Sequence, residues 1–234
     1  TACTLWRENQ LNGGYAPKGG FQTLADVLGA RIRELGGKVH PRTEVHRIRV
    51  ANGAICGVET RAMLRGFGED RSISCQTVIG AGAAPHLFFD LIGRDHLPED
   101  YVRRLETAEF SFSGAVVFLG LKTNLQDRLK YHGCHWYIHD PRLVVMDRWL
   151  ENDYIDAHLF DADGPFYVAM PTGYDPTMAP PGKSTAVLIL PSVYKPREFW
   201  KEHKERLGDI AVDRLDRWVP GIRAQVELRN VATS

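Results

Sequence analysis

The 234-residue sequence has no excess of charge of either sign: 29 lysines and arginines balance 29 aspartates and glutamates. No global field draws such a chain onto nucleic acid or an anionic bilayer, and nucleic acid is not expected as a partner. Cysteine is scarce. Cys3, Cys56, Cys75 and Cys134 lie far apart and form no Cys-x-x-Cys pair, which argues against a disulfide framework and for reduced thiols. There is no apolar run of about 18 residues, so no membrane-spanning helix is expected. A cytoplasmic setting follows, with peripheral membrane contact left open. The Gly-x-Ser-x-Gly pattern of a nucleophilic serine is absent. No initiator methionine or targeting segment is found, and the abrupt ends at Thr1 and Ser234 read as cut or processed ends.

What is present is a punctuated succession of helix and strand patterns. Phe21, Leu24, Val27, Leu28, Ile32 and Leu35 recur at helical spacing, and Gly36-Gly37 supplies the stop. Two β-prone runs, 38–50 and 55–63, flank Asn52-Gly53, a strong hairpin turn. Ile73, Cys75, Thr77 and Ile79 alternate as in a strand. Gly80–Pro85 then opens a short helix, His86–Ile92, ended by Gly93. After a short helix beyond Pro98, further strands are predicted at 111–121, 136–139, 143–146, 166–170 and 185–190. The proline-rich segment 171–183 between the last two is a loop. A long helix follows Pro196, with Phe199, Trp200, His203, Leu207, Ile210, Ala211, Leu215 and Trp218 on one stripe; Pro220-Gly221 ends it. The fold class is α+β, with a boundary near residues 95–108.

Few segments carry chemistry. Gly80-Ala81-Gly82-Ala83-Ala84-Pro85 sits where a dinucleotide-binding turn would. Proline replaces its third glycine, and no acidic strand end follows about 20 residues on. A small-residue turn packed against a neighbour is the stronger reading, and it still allows close approach of a large flat ligand. Pro17-Lys18-Gly19-Gly20 precedes a helix, so free backbone N–H groups there would suit an anion or a ring system. The alternative is a flexible lead-in to the helix. His132, Cys134, His135 and His139 are metal-capable. On a strand, however, Cys134 and His135 point to opposite faces, so no metal site is assigned. Asp161-Ala162-Asp163-Gly164 starts like a calcium loop, but Phe166 and Thr172 stand where glycine and glutamate are needed.

Together these segments resemble the phytoene desaturase family, FAD enzymes that also include carotenoid isomerases and retinol saturases. Residues 13–58 are similar to the family's Pro-x-Gly-Gly, helix, Gly-Gly, Thr-Glu-Val strand and hairpin. Residues 77–93 resemble its strand ending in a small polar run, although Gly82, Ala83 and Ala84 stand in place of the usual Asn, Ala and Asp. Residues 172–194 resemble its Asp-Pro-x-x-Ala-Pro-x-Gly loop with the strand that follows. Residues 218–234 resemble the run into its C-terminal flavin segment.

The resemblance implies an interior part of a glutathione-reductase-type flavoprotein, lacking the N-terminal Gly-x-Gly-x-x-Gly unit and the C-terminal flavin segment. Residues 1–15 would be the tail of a substrate-domain segment. Residues 16–104 would be a partial FAD domain of helix plus β-meander. Residues 105–234 would be a substrate domain with a mostly antiparallel sheet and a long packing helix. Carried over by residue, Val45 would meet the adenine end of FAD through its backbone. Gly19 and Gly20, with Pro17 and Lys18, would lie near the isoalloxazine or the substrate channel. Gly80, Ala81 and Gly82 would pass near the dinucleotide. The implied activity is desaturation, saturation or isomerisation of an apolar polyene-like substrate, with no catalytic side chain assigned. The isolated chain would be inactive, bind FAD weakly or not at all, and self-associate. The alternatives are an amine-oxidase-like or protoporphyrinogen-oxidase-like flavoenzyme, or a non-catalytic binding protein that retains the fold.

Overall fold

A computed structural model describes Leu11 and residues 15–63, 70–108, 112–129, 134–138 and 152–233. The predicted strand at 143–146 and the metal-capable His132 and His139 lie outside these. The chain divides into two compact units, Gly29–Glu109 and the combination of Thr1–Leu28 with Phe110–Ser234. Both are mixtures of helix and antiparallel sheet, in keeping with the α+β reading.

Helix α1, Phe21–Glu34, forms where the apolar spacing predicts it. It ends in a double hydrogen bond: Gly37 N–H to Ile32 O and Gly36 N–H to Arg33 O, with Gly36 at φ 83°. This is the left-handed cap that glycine adopts without a Cβ penalty. The predicted apolar face is real, yet none of its residues is buried. Phe21, Leu24, Val27, Leu28, Ile32 and Leu35 are 45–71% exposed.

In the smaller unit, β1 (Thr43–Ala51), β2 (Ala54–Ala62) and β3 (Arg71–Ile73) form an antiparallel meander. The β1–β2 hairpin turns through Asn52 and Gly53, both at positive φ, the mirror-image turn that matches strand twist. The strand expected from Ile73 to Ile79 stops at Ile73. Beyond it no ladder partner exists among the described residues, and Ile79 is 91% exposed. Period-two alternation creates a sheet-ready face, but a strand forms only where a neighbour accepts its hydrogen bonds. The next segment is helical as expected, but His86–Gly93 winds as a π-helix. It ends at Gly93, φ 98°, and packs on β1. Helix α2 is Glu99–Glu106. Ile48 is the one large apolar side chain fully buried among the described residues of this unit.

The larger unit holds the core. Strands β4 (Ser113–Leu121), β5 (Cys134–Tyr137), β6 (Phe166–Ala169), β7 (Ser184–Ser192) and β8 (Val226–Ala232) form an antiparallel sheet in the order β5-β6-β7-β4-β8. Helix α3 is Asn152–His158, and helix α4 is Arg197–Trp218. Ala115, Val117, Leu119, Phe166, Leu188 and Leu190 point from one sheet face into a cluster with Trp200, Leu207, Ala211 and Leu215 of α4. Each fully buried leucine contributes roughly 1.5–3 kcal/mol, so this face and α4 hold the unit together. Neither α3 nor β8 was foreseen from the pattern.

Candidate functional site

The Pro17–Gly20 segment is a tight turn. Gly20 N–H donates to Pro17 O at 2.9 Å, and Gly19 takes φ 82° at the third position. Lys18 is not at positive φ, so the turn is type II, which requires a residue tolerant of positive φ there. Asp175, 156 positions away, accepts the Gly19 N–H through Oδ2 at 2.6 Å. Its Oδ1 accepts from Thr177 Oγ1 at 2.6 Å and from Thr177 N–H at 3.0 Å. Asp175 is buried. The Thr177 hydroxyl, then the Gly19 and Thr177 N–H groups, hold its carboxyl below the usual carboxylate range. Gly20 is buried, with φ 83°; a Cβ there would stand 2.8 Å from Met178 Cε.

These contacts change the meaning of the glycines. Both N–H groups that sequence reasoning left free for an anion are taken, one by Pro17 O and one by a carboxylate. The central Lys18–Gly19 peptide keeps no polar group for a ligand, because its carbonyl is also taken, by Thr23 Oγ1. The anion half of the expectation falls away, and the flat-ring half stays open. Sequence reasoning also missed Asp175 as a partner of the turn. Two separately recognised segments, 17–20 and 175–178, in fact form one structure.

The loop that carries Asp175 and Met178 joins β6 to β7, and Tyr174 in it reaches the sheet. The Tyr174 hydroxyl donates to Cys134 Sγ at 3.4 Å. Burial, then the bond to Cys134, pushes the Tyr174 hydroxyl up to about 12, and the same causes raise Tyr167. Both phenols are therefore neutral donors at ordinary pH. They border the sheet face that α4 does not cover. Alternation places Val116 and Phe118 of β4, Val187 and Ile189 of β7, Ala169 of β6 and Leu228 of β8 on this face. Phe118 is 46% and Leu228 70% exposed. An apolar platform with tyrosines at one margin suits an apolar ligand. Cys134 and His135 do point to opposite faces: Cys134 beside Tyr174, His135 against the Trp218 ring at 5.5 Å.

Val45 and Gly80–Gly82 belong to the smaller unit. Val45 lines an open cavity of about 600 Å³ with Val58, Thr60 and Ile73 on its walls and Arg42 and Arg71 beside them. The β1–β2 register slips between Val45 and Arg47, making His46 an extra residue. Such a bulge re-aims the backbone locally. On the other side of β1, His46, Arg47, Glu59, Asp90 and His96 line a mixed-charge cavity of about 450 Å³. No sequence motif pointed to it. Gly80 has a packing reason for its missing side chain, since a Cβ would strike Leu87. Gly82 faces open space, with nothing within 4 Å of a Cβ.

No family model matches the chain. Its fold is shared with an oxidoreductase from Methanosarcina mazei, at a TM-score of 0.57 and 19% identity over 93% of this chain and 43% of that one. A Pyrococcus furiosus protein gives a TM-score of 0.55 at 16% identity over the same shares. These likenesses are of fold alone.

The sequence relatives are more specific. The chain is 26% identical to the 4,4'-diapophytoene desaturase (4,4'-diapolycopene-forming) of a Methylomonas species, over 94% of this chain and 41% of that protein. It is 25% identical to the lycopene-forming phytoene desaturase of a Paracoccus species, over 94% and 42%. Against the zeta-carotene-forming phytoene desaturase of Myxococcus xanthus it is 27% identical, over 81% and 33%. The resemblance to phytoene desaturases thus extends over nearly the whole chain, which spans about two fifths of the first two relatives' length.

Proposed function

We propose that the chain is part of an FAD-dependent oxidoreductase acting on an apolar polyene by desaturation, saturation or isomerisation. In this reading residues 16–104 are part of a glutathione-reductase-type FAD domain, residues 105–234 are a substrate domain, and the sheet of the larger unit is the substrate platform. The observation that carries it is the apolar sheet face of Val116, Phe118, Val187, Ile189 and Leu228, of which Phe118 and Leu228 are exposed and the other three partly buried, bordered by the loop that grips the Pro17–Gly20 turn. A water-soluble substrate would gain little from such a face, whereas a long hydrocarbon gains roughly 25 cal/mol for each Å² it covers.

Pro17, Lys18 and Gly19 offer a wall whose glycine N–H is already bonded, while Gly20, also assigned to the cofactor, is buried against Met178. Val45 adjoins an open cavity, and Gly82 leaves space where a side chain would intrude. When bound, FAD supplies the redox step; these residues orient it and exclude water. No side chain is assigned to the chemistry. The three-glycine fingerprint is absent from these 234 residues, so the chain by itself should hold FAD weakly or not at all.

Two measurements test the proposal. The purified chain should show little bound flavin by visible absorbance, and tightly held stoichiometric FAD would contradict that. A polyene hydrocarbon in detergent should quench tryptophan fluorescence in a way that Phe118→Glu and Leu228→Glu weaken. Unchanged polyene binding in both variants would remove the platform.

A further inference from the structure

The Lys18–Gly19 peptide is held at both ends. Its N–H points to Asp175 Oδ2 at 2.6 Å, and its carbonyl, Lys18 O, accepts from Thr23 Oγ1 at 3.2 Å. This is the central peptide of the turn, the one whose rotation interconverts type II and type I turns. The end-to-end bond, Gly20 N–H to Pro17 O, is compatible with either form. Without its two partners the peptide would be free to turn over. Its carbonyl and N–H would then exchange directions, and Gly19 could leave positive φ.

We propose that Asp175 and Thr23 form a peptide-flip lock, in which Asp175 is the positioning residue that fixes the Pro17–Gly20 turn as type II. The consequence rests on the reading of this turn as a wall of the flavin or substrate site. Locked, the central peptide spends both polar groups on the chain itself and shows a ligand only CH surface. Flipped, it offers a carbonyl or an N–H, and the wall changes from apolar to polar. The lock thus selects for an apolar or flat aromatic neighbour. Met178 works in the same sense: it fills the space beside Gly20 and keeps that loop against the turn.

Amide hydrogen exchange on the ¹⁵N-labelled full chain tests the lock. A hydrogen bond to a carboxylate is among the stronger kinds, so Asp175→Ala should speed Gly19 exchange by about tenfold or more. Gly20 exchange should change much less, because its bond to Pro17 O survives a flip. Thr23→Val removes the other anchor from an exposed helix start, where folding is not at stake, and should speed Gly19 exchange in the same selective way. The Gly19 amide resonance should also follow a single acid titration that Asp175→Asn abolishes; Lys18 is the charged group that bears on this carboxylate. Unchanged Gly19 exchange in both variants, or equal acceleration at Gly19 and Gly20, overturns the lock. Polyene binding measured on the same variants separates the two ideas. Selective release of Gly19 with unaltered polyene binding upholds the lock and removes the ligand-facing role of the turn.

Discussion

Gly164 lies directly against the guanidinium of Arg214, where any side chain would collide with it. Arg214 is buried in α4, and its nitrogens donate to the carbonyls of His158, Leu159, Asp161 and Pro165. Burial pulls this arginine down to about 10, opposed by Asp161 and Asp163, so it is a cation at neutral pH. One charged side chain thus organises the whole segment between α3 and β6. The stretch that starts like a calcium loop is wrapped around an arginine of this chain.

Removing that arrangement should be costly. Arg214→Met leaves several carbonyls without a donor, at about 1–3 kcal/mol for each buried one, and should lower the urea midpoint markedly. Gly164→Ala should cost about 1–3 kcal/mol by crowding the guanidinium. A near-neutral effect of both on urea unfolding would contradict the role given to Arg214.

Gly20 and Gly36 share φ 83° but differ in surroundings. Nothing lies within 4 Å of a Cβ at Gly36, whereas Met178 lies at 2.8 Å from one at Gly20. Gly36→Ala should therefore report strain alone, on the order of 1 kcal/mol. Gly20→Ala should cost more, and Met178→Ala should recover only the excess. The double-mutant comparison in denaturant checks this.

The Asp175 carboxyl is held below its ordinary range. Its stabilising contribution is then fully present above about pH 4, the unfolded value, and is lost as pH falls through the lower folded value. The stability difference between wild type and Asp175→Asn should shrink as pH drops through that window. A difference independent of pH down to strong acid would show that the carboxylate is not bonded as described.

The exposed stripe of α1 should make the chain self-associate at high concentration. Sedimentation velocity should show a concentration-dependent increase that Leu24→Glu and Leu28→Glu reduce, with far-ultraviolet circular dichroism unchanged. A strictly monomeric wild type would refute it.

Much of the fold was legible in the residues. Helix α1 and its Gly36 cap, the Asn52-Gly53 hairpin, strands β4, β6 and β7 and helix α4 all follow from local periodicity and turn chemistry, which depend on neighbours within a few positions. The strand lost after Ile73 and the π-winding of His86–Gly93 were not legible. Hydrogen-bond partners and packing decide those, and local pattern does not encode them. Helix α3 escaped because it is short and mostly polar, and strand β8 because Val226 and Leu228 fall on one parity and Val231 on the other, which breaks the alternation a strand would show.

The candidate site divides along the same line. Sequence alone singled out Pro17–Gly20 and the Asp175 loop, because glycines and prolines announce backbone conformation directly. Only the tertiary structure joined Gly19 to Asp175 and Gly20 to Met178, and only it turned one sheet face outward with an apolar surface. Contacts between residues 156 positions apart arise from the global path of the chain, which no local spacing records.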